Sequence, residues 1–347
     1  MPTNNQVILY WPNTTSSTNG ELQSATNLDS TPNWESATDA FQVNYGSQIA
    51  FSVTNAASAR FFRLSLVPPA ADGMVLIPAG TFTMGDTLDG ESDAIPTNVT
   101  VSAFYMDTNF VNYGQWQTVY KWATNVGYGF IDAGSGKAAN KPVQMVDWYD
   151  CVKWCNARSQ LADLTPAYYT DAGLTQIYTN GETTNLFVNW TVNGYRLPTE
   201  AEWEKAARGG FSGQRFPWGN TISESQANYN GNTATIYDLG PNGYNAAFTN
   251  GATPYTSPVG YFAANGYGLY DMAGNVWEWC WDWYGTPYGQ PTTINPTGPA
   301  FGTQRLLQHV LRGSSWRNGA SYARCGSRSS TVSGTANNLG FRCVRNF

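Results

Sequence analysis

The chain has 347 residues and a formal net charge of −6, and charged residues make up only 12% of it. That length accommodates one large domain and a smaller one, with ample material for a buried core. The acidic balance without a basic cluster excludes a nucleic-acid footprint, and no apolar run reaches the roughly 18 residues of a membrane-spanning helix.

Aromatic residues reach 15%, and the polar remainder is drawn from Asn, Thr, Ser, Gln and Gly rather than from Lys. This composition fits an extracellular or cell-surface protein, such as a secreted bacterial surface protein. Met1-Pro2-Thr3-Asn4-Asn5-Gln6 has no basic n-region and no apolar h-region, so it does not read as a signal peptide. The expectation is a mature or trimmed chain.

Residues 1–67 read as a small β-sandwich-like module. Val7-Ile8-Leu9-Tyr10-Trp11 is a strand run closed by Pro12-Asn13, and the runs 21–25, 48–53 and 60–67 alternate between turn signals. The unit resembles small β modules of large secreted bacterial proteins. Its plain role is a spacer; the alternative is an assembly contact through an open edge strand. Residues 68–73, Pro68-Pro69-Ala70-Ala71-Asp72-Gly73, form a linker, and a large domain occupies 74–347.

Two helices are legible in the large domain. Trp148, Cys151, Val152 and Cys155 recur at i, i+3, i+4, i+7, which predicts a buried helix over 146–161. Pro198 to Gly210 carries its own punctuation: Thr199 with Glu202 makes a capping box, and Gly209-Gly210 ends the helix. Short strands and long Gly/Asn/Pro-rich loops make up the rest.

Five cysteines, Cys151, Cys155, Cys280, Cys325 and Cys343, contain no Cys-x-x-Cys pair, and the odd number leaves at least one free thiol. Cys280, between two tryptophans, reads as a small core residue. The single histidine, His309, sits in an apolar-flanked strand and reads as structural. No Gly-x-Ser-x-Gly elbow, nucleotide fingerprint or evident carboxylate pair is present.

Asp271-Met272-Ala273-Gly274-Asn275-Val276-Trp277-Glu278 sets hard oxygen ligands seven residues apart with Gly in the turn. Calcium takes six to eight such oxygens. The other reading is a loop closed by hydrogen bonds alone.

Four runs carry a family resemblance over residues 74–347: Tyr195 to Glu204, Phe216 to Asn220, Asn265 to Trp279 and Asn338 to Cys343. With Arg312-Gly313-Ser314-Ser315-Trp316 they make the chain resemble the formylglycine-generating enzyme, or sulfatase-modifying factor, family. The resemblance implies an α+β, C-type-lectin-like fold, loop-rich with few helices. It implies a calcium held by side-chain oxygens of Asp271 and Glu278 and carbonyls of Gly274 and Val276. A second calcium would use Asn228 and Tyr229, with its other half near Asn250-Gly251. It also implies a Cys155–Cys343 disulfide, stabilising by about 4–5 kcal/mol on loop entropy. The partner for a second family bridge is missing at Ala207, which leaves Cys325 as a buried free thiol or paired elsewhere, for example with Cys151.

Catalysis in the family oxidises a substrate cysteine with oxygen through two thiols that bind copper(I), a metal soft thiolates select. Asn318 and Ala323 stand at those two positions. No copper is therefore expected, and catalysis is not. The expectation is a non-catalytic extracellular binding or structural protein on a calcium-stabilised scaffold. Its partner would be a glycan, a protein or copies of itself, as in a surface layer or filament. Trp277, Ser315, Trp316, Asn318 and Tyr322 form the candidate ligand groove. Two alternatives remain. One is a variable ligand-binding protein of the diversity-generating-retroelement type, with diversified positions at 317–323 and 329–336. The other is an oxidase with an altered centre.

Overall fold

A computed structural model describes residues 73–346, apart from 91, 93, 287, 289–291 and 301–306, together with the strands lying between residues 6 and 66. The chain divides into two compact units, 1–71 and 72–346. Of the expected linker at 68–73, all but Gly73 lies outside the described residues.

The first unit holds two three-stranded antiparallel sheets. Gln48–Thr54 lies between Gln6–Pro12 and Phe41–Tyr45, and Gly20–Ala25 lies between Glu35–Ser36 and Phe61–Leu66. The register sets Val7 opposite Val53 and Leu9 opposite Phe51.

Among the described residues the second unit has three helices: α1 (Tyr113–Asn125), α2 (Trp148–Leu161) and α3 (Glu200–Ala207). The sequence predicts α2 and α3 and misses α1. Its signals are an Asn112/Gln115 capping box and buried Trp116, Val119 and Ala123 at helical spacing. The capping box of α3 forms as predicted, with Thr199 Oγ1 accepting from the Glu202 amide at 3.2 Å and Glu202 Oε2 accepting from the Thr199 amide at 2.8 Å.

Helices α1 and α2 pack through indoles. Trp116 and Trp154 stack at 5.8 Å, and Phe341 meets both edge-on. Offset and edge-on pairs contribute about 0.5–1.5 kcal/mol each beyond their buried area. Asp147 caps α2 by accepting from the Asp150 amide at 2.6 Å. Asp150 then accepts from the amides of Ile131 and Asp132 and pairs with buried Lys153, so the incoming loop is tied to the helix start.

The central sheet is four-stranded, in the order Ser329–Thr331, His309–Arg312, Trp277–Trp283, Leu339–Gly340, with the last pair parallel. A smaller sheet joins Met74–Ile77, Phe104–Asp107 and Val344–Arg345. The main core lies between these strands and α3, where Trp203 is fully buried against Ile77, Val101, Val310 and Cys325. The fold is α+β and loop-rich, as the motif order predicts.

Candidate functional site

The loop 271–278 is shaped by left-handed backbone. Asp271, Gly274 and Asn275 have φ of 55°, 83° and 70°. At Gly274 glycine is required, since a Cβ would come within 2.4 Å of the Asn228 carbonyl oxygen. Gly274 N donates to Gly313 O at 2.7 Å, Asn275 N to Asn228 O at 2.7 Å, and Trp316 N to Asn275 O at 2.8 Å. Three sequence-predicted segments, around 228, 271–278 and 313–318, thus meet in one place.

Within that loop Asp271 Oδ2 accepts from Gly260 N at 2.7 Å, while Oδ1 is buried with no hydrogen-bond partner. Burial pushes the Asp271 carboxyl up to about 6, with the Arg342 charge pulling the other way. Glu278 is fully buried and committed to Arg342, whose Nε and Nη2 donate to its two oxygens at 2.6 and 3.2 Å. A carboxylate offers about four lone-pair sites, so Glu278 keeps acceptor capacity beside that pair. The orphaned Asp271 oxygen and the net charge of Asp271, Glu278 and Arg342 fit a cation.

Around the second expected calcium the side chains are anchored through their donor groups. Asn228 Nδ2 donates to Tyr255 O at 2.8 Å, and the Tyr229 hydroxyl donates to Asp238 at 2.5 Å. The carbonyls of Asn250 and Ala252 receive the Lys137 ammonium at 3.0 and 2.9 Å.

The candidate groove assembles in part. Asn318 Oδ1 accepts from Trp277 Nε1 at 3.0 Å and from Ser315 Oγ at 2.6 Å. Asn338 Nδ2 donates to Ser315 Oγ at 3.1 Å, and Tyr322 meets Trp277 edge-on at 6.0 Å with 46% of its surface exposed. Trp277, Ser315 and Trp316 are all buried, Trp316 among Tyr244 and Tyr255. Ala323 is buried beside Ala320, Phe216 and Tyr229. Ser314 holds φ of 71° with its hydroxyl buried and unpartnered, a strained position for a residue with a Cβ.

All five cysteines are buried thiols. The Sγ atoms of Cys155 and Cys343 lie 3.6 Å apart. Burial drives the Cys151, Cys155 and Cys280 thiols well above their ordinary range and Cys325 up to about 12. Cys325 packs in the main core with Trp203 and Val310. His309 is sandwiched between the rings of Trp148 and Trp283 at 3.7 and 3.8 Å. Its Nε2 is buried without a partner, and burial pushes its pKa down to about 3.

Two charge clusters escape sequence reading. Glu200 and Glu204 of α3 face Arg312, Arg328 and Arg208. Arg312 pairs with Glu204 and lies 3.5 Å from Glu200; Arg328 pairs with Glu200 at 2.5 Å and Arg208 with Glu204 at 2.6 Å. The i, i+4 spacing of Glu200, Glu204 and Arg208 is the available signal; Arg312 and Arg328 lie over 100 residues away. The second cluster is Asp132, Asp147 and Asp150, whose carboxylates approach within 4.8 Å of one another. Burial and the neighbouring Asp150 charge push Asp147 up to about 7. No helix among the described residues is long and apolar enough to cross a membrane.

Comparison with known proteins agrees with this arrangement. The model of the sulfatase-modifying factor enzyme 1-like domain matches residues 65–347. The chain is 33% identical to the formylglycine-generating enzyme of Bos taurus over 326 residues, covering 84% of this chain and 81% of that protein. It is 33% identical to the formylglycine-generating enzyme of Thermomonospora curvata over 302 residues, covering 79% and 93%. Among solved structures, Treponema denticola variable protein 1 superposes with a TM-score of 0.61 at 27% identity, covering 89% of this chain and 99% of that one. With its motifs, its loop 271–278 and its central sheet all in that family's order, this chain belongs to the sulfatase-modifying factor enzyme 1-like family.

Proposed function

We propose that the chain is a non-catalytic, extracellular binding or structural member of its family. One observation carries this reading. Where the family's chemistry asks for a reachable thiol pair, Asn318 offers a carboxamide held by Trp277 and Ser315, and Ala323 offers a buried methyl. The remaining thiols are at most 1% exposed. A thiol must reach the thiolate form to bind copper(I) or attack oxygen-derived species, and burial opposes that. Incubation with copper(I), oxygen and a Cys-x-Pro-x-Arg peptide is expected to give no aldehyde by mass spectrometry. Aldehyde formation at a rate above the protein-free control would overturn the reading.

The scaffold in this proposal is stabilised by calcium and by a Cys155–Cys343 bond. Asp271 Oδ1 and Glu278 would hold the ion with the carbonyls of Gly274 and Val276, drawing Asp271 out of its unpartnered state. Asn228 and Tyr229 would serve a weaker second ion, in competition with the Lys137 ammonium. Saturating calcium at 100 times its dissociation constant stabilises by about 2.7 kcal/mol. The purified chain is therefore expected to melt several degrees lower in chelator, and lower again in reductant. No bound calcium by metal analysis and no chelator effect would remove the ion from the proposal; no effect of reductant would remove the bridge.

A variable ligand-binding protein is the second reading, favoured by the likeness to Treponema denticola variable protein 1. Arg317, Asn318, Ser321 and Tyr322 are exposed or half-buried, as are all residues from 329 to 336, whereas Ala320 and Ala323 are buried. A neighbouring genomic repeat differing from this segment only at adenines would establish it, and its absence would dismiss it.

A further inference from the structure

We propose that the large unit carries a second ligand site, sharing no residue with the Trp277–Asn318 groove, and that it takes a neutral saccharide chain. This goes beyond the function proposed above and does not depend on it.

The site is a cavity of about 460 Å³ walled by Trp190, with Arg196 and Glu202 beneath and Asn295, Thr297 and Asn346 around it. A neighbouring cavity of about 350 Å³ shares Trp190 and Thr297 and adds Trp281. Both volumes lie in the range of small-molecule sites. The half-buried Trp190 indole therefore lines two consecutive cavities, braced edge-on by Trp281 at 6.0 Å and by the Arg196 guanidinium 5.2 Å from its ring.

The polar groups specify the ligand. Arg196 gives Nη1 and Nη2 to Glu202, both at 2.7 Å, and Nη2 also to Asn346 Oδ1 at 3.0 Å. Its charge is thereby matched. Nε is enclosed and out of a ligand's reach, so the guanidinium meets the cavity only as a charge-matched floor. Because Glu202 already neutralises the guanidinium, the cavity offers no net charge to a carboxylate or phosphate and suits a neutral ligand.

Asn295 is fixed by Ser102, accepting from its amide at 2.7 Å and donating to its hydroxyl at 3.0 Å, which leaves one N–H at the rim. Thr297 lines the same cavity. An aromatic face for C–H contact, spare neutral hydrogen-bonding groups and no net charge together match a pyranose, which is apolar on its ring face and hydroxylated at its edge. Two cavities sharing one indole match a chain of at least two rings.

The test is affinity electrophoresis of the full chain in native gels containing hydroxyethyl cellulose, laminarin, galactomannan, arabinoxylan or glycogen. At least one polymer is expected to retard it. Trp190→Ala should weaken retardation at least tenfold, as loss of a central aromatic anchor does. Asn295→Ala, at an exposed position, removes the spare donor and the tie to Ser102 and should weaken it about fivefold. The proposal is overturned if no polymer retards the protein, or if retardation survives both substitutions. It is equally overturned if retardation is abolished by Tyr322→Ala while Trp190→Ala and Asn295→Ala leave it unchanged, which would place binding in the other groove.

Discussion

Replacing Arg312 by alanine is expected to destabilise the large unit by about 3–5 kcal/mol, the effect of removing one partner from a buried ion network. At roughly 2–4 °C per kcal/mol for a unit of this size, the melting temperature should fall by about 6–20 °C. Arg312 is fully buried, pairs with Glu204 and donates to the Ser327 carbonyl. Its loss leaves Glu204 with Arg208 alone and strips a donor from the segment that carries Asn318. Arg208 and Arg328 each retain a glutamate, so the deficit is one positive charge spread over Glu200 and Glu204. Combining Arg312→Ala with Glu204→Gln removes both members of the pair and should recover part of the loss, giving a coupling of about 1–3 kcal/mol in a double-mutant cycle with the two single variants. A melting temperature unchanged in Arg312→Ala would mean that the network does not hold α3 to the central sheet.

The second large effect is on acid stability. His309 is the single histidine, its folded pKa pushed down to about 3 by burial between Trp148 and Trp283. Unfolded, it titrates near 6.5. Between these values the unfolded chain binds a proton that the folded chain does not, so stability falls as pH falls through that window. Above pH 6.5 both states are neutral and the contribution is complete. At about 1.4 kcal/mol per pH unit, the loss amounts to roughly 2 kcal/mol by pH 5. His309→Phe keeps an aromatic ring in the indole sandwich and removes the titration. The difference in unfolding free energy between the two proteins should therefore be flat above pH 6.5 and shift by about 2 kcal/mol in favour of the variant by pH 5. Asp147 and Asp271, raised to about 7 and about 6, act in the opposite sense. They are common to both proteins and cancel in the difference. A difference independent of pH would show that His309 is not buried neutral.

How far the sequence reveals this protein depends on how local each signal is. The capping box of α3 and the stripe of α2 are encoded within a few residues, and each appears where its local chemistry puts it; the need for glycine at 274 comes from the distant Asn228 carbonyl. Helix α1 escapes because its apolar face is made of aromatics interleaved with Gln, Tyr and Lys, which blurs the period. Trp316 escapes for another reason. An aromatic next to a candidate site reads equally as contact or core, and its burial depends on Tyr244 and Tyr255, more than 60 residues away.

The sequence by itself determined the family and the order of the motifs. Those facts need only residue identity and spacing. The tertiary structure decided what each polar group is free to do. It commits Glu278 to Arg342, leaves one oxygen of Asp271 open, and sets the Lys137 ammonium against the Asn250 and Ala252 carbonyls. It also brings Trp190, Arg196 and Asn295 to one cavity across about 100 residues of chain. Hydrogen bonds and ion pairs act over about 3 Å, and only the folded chain fixes which groups, distant in sequence, come within that reach.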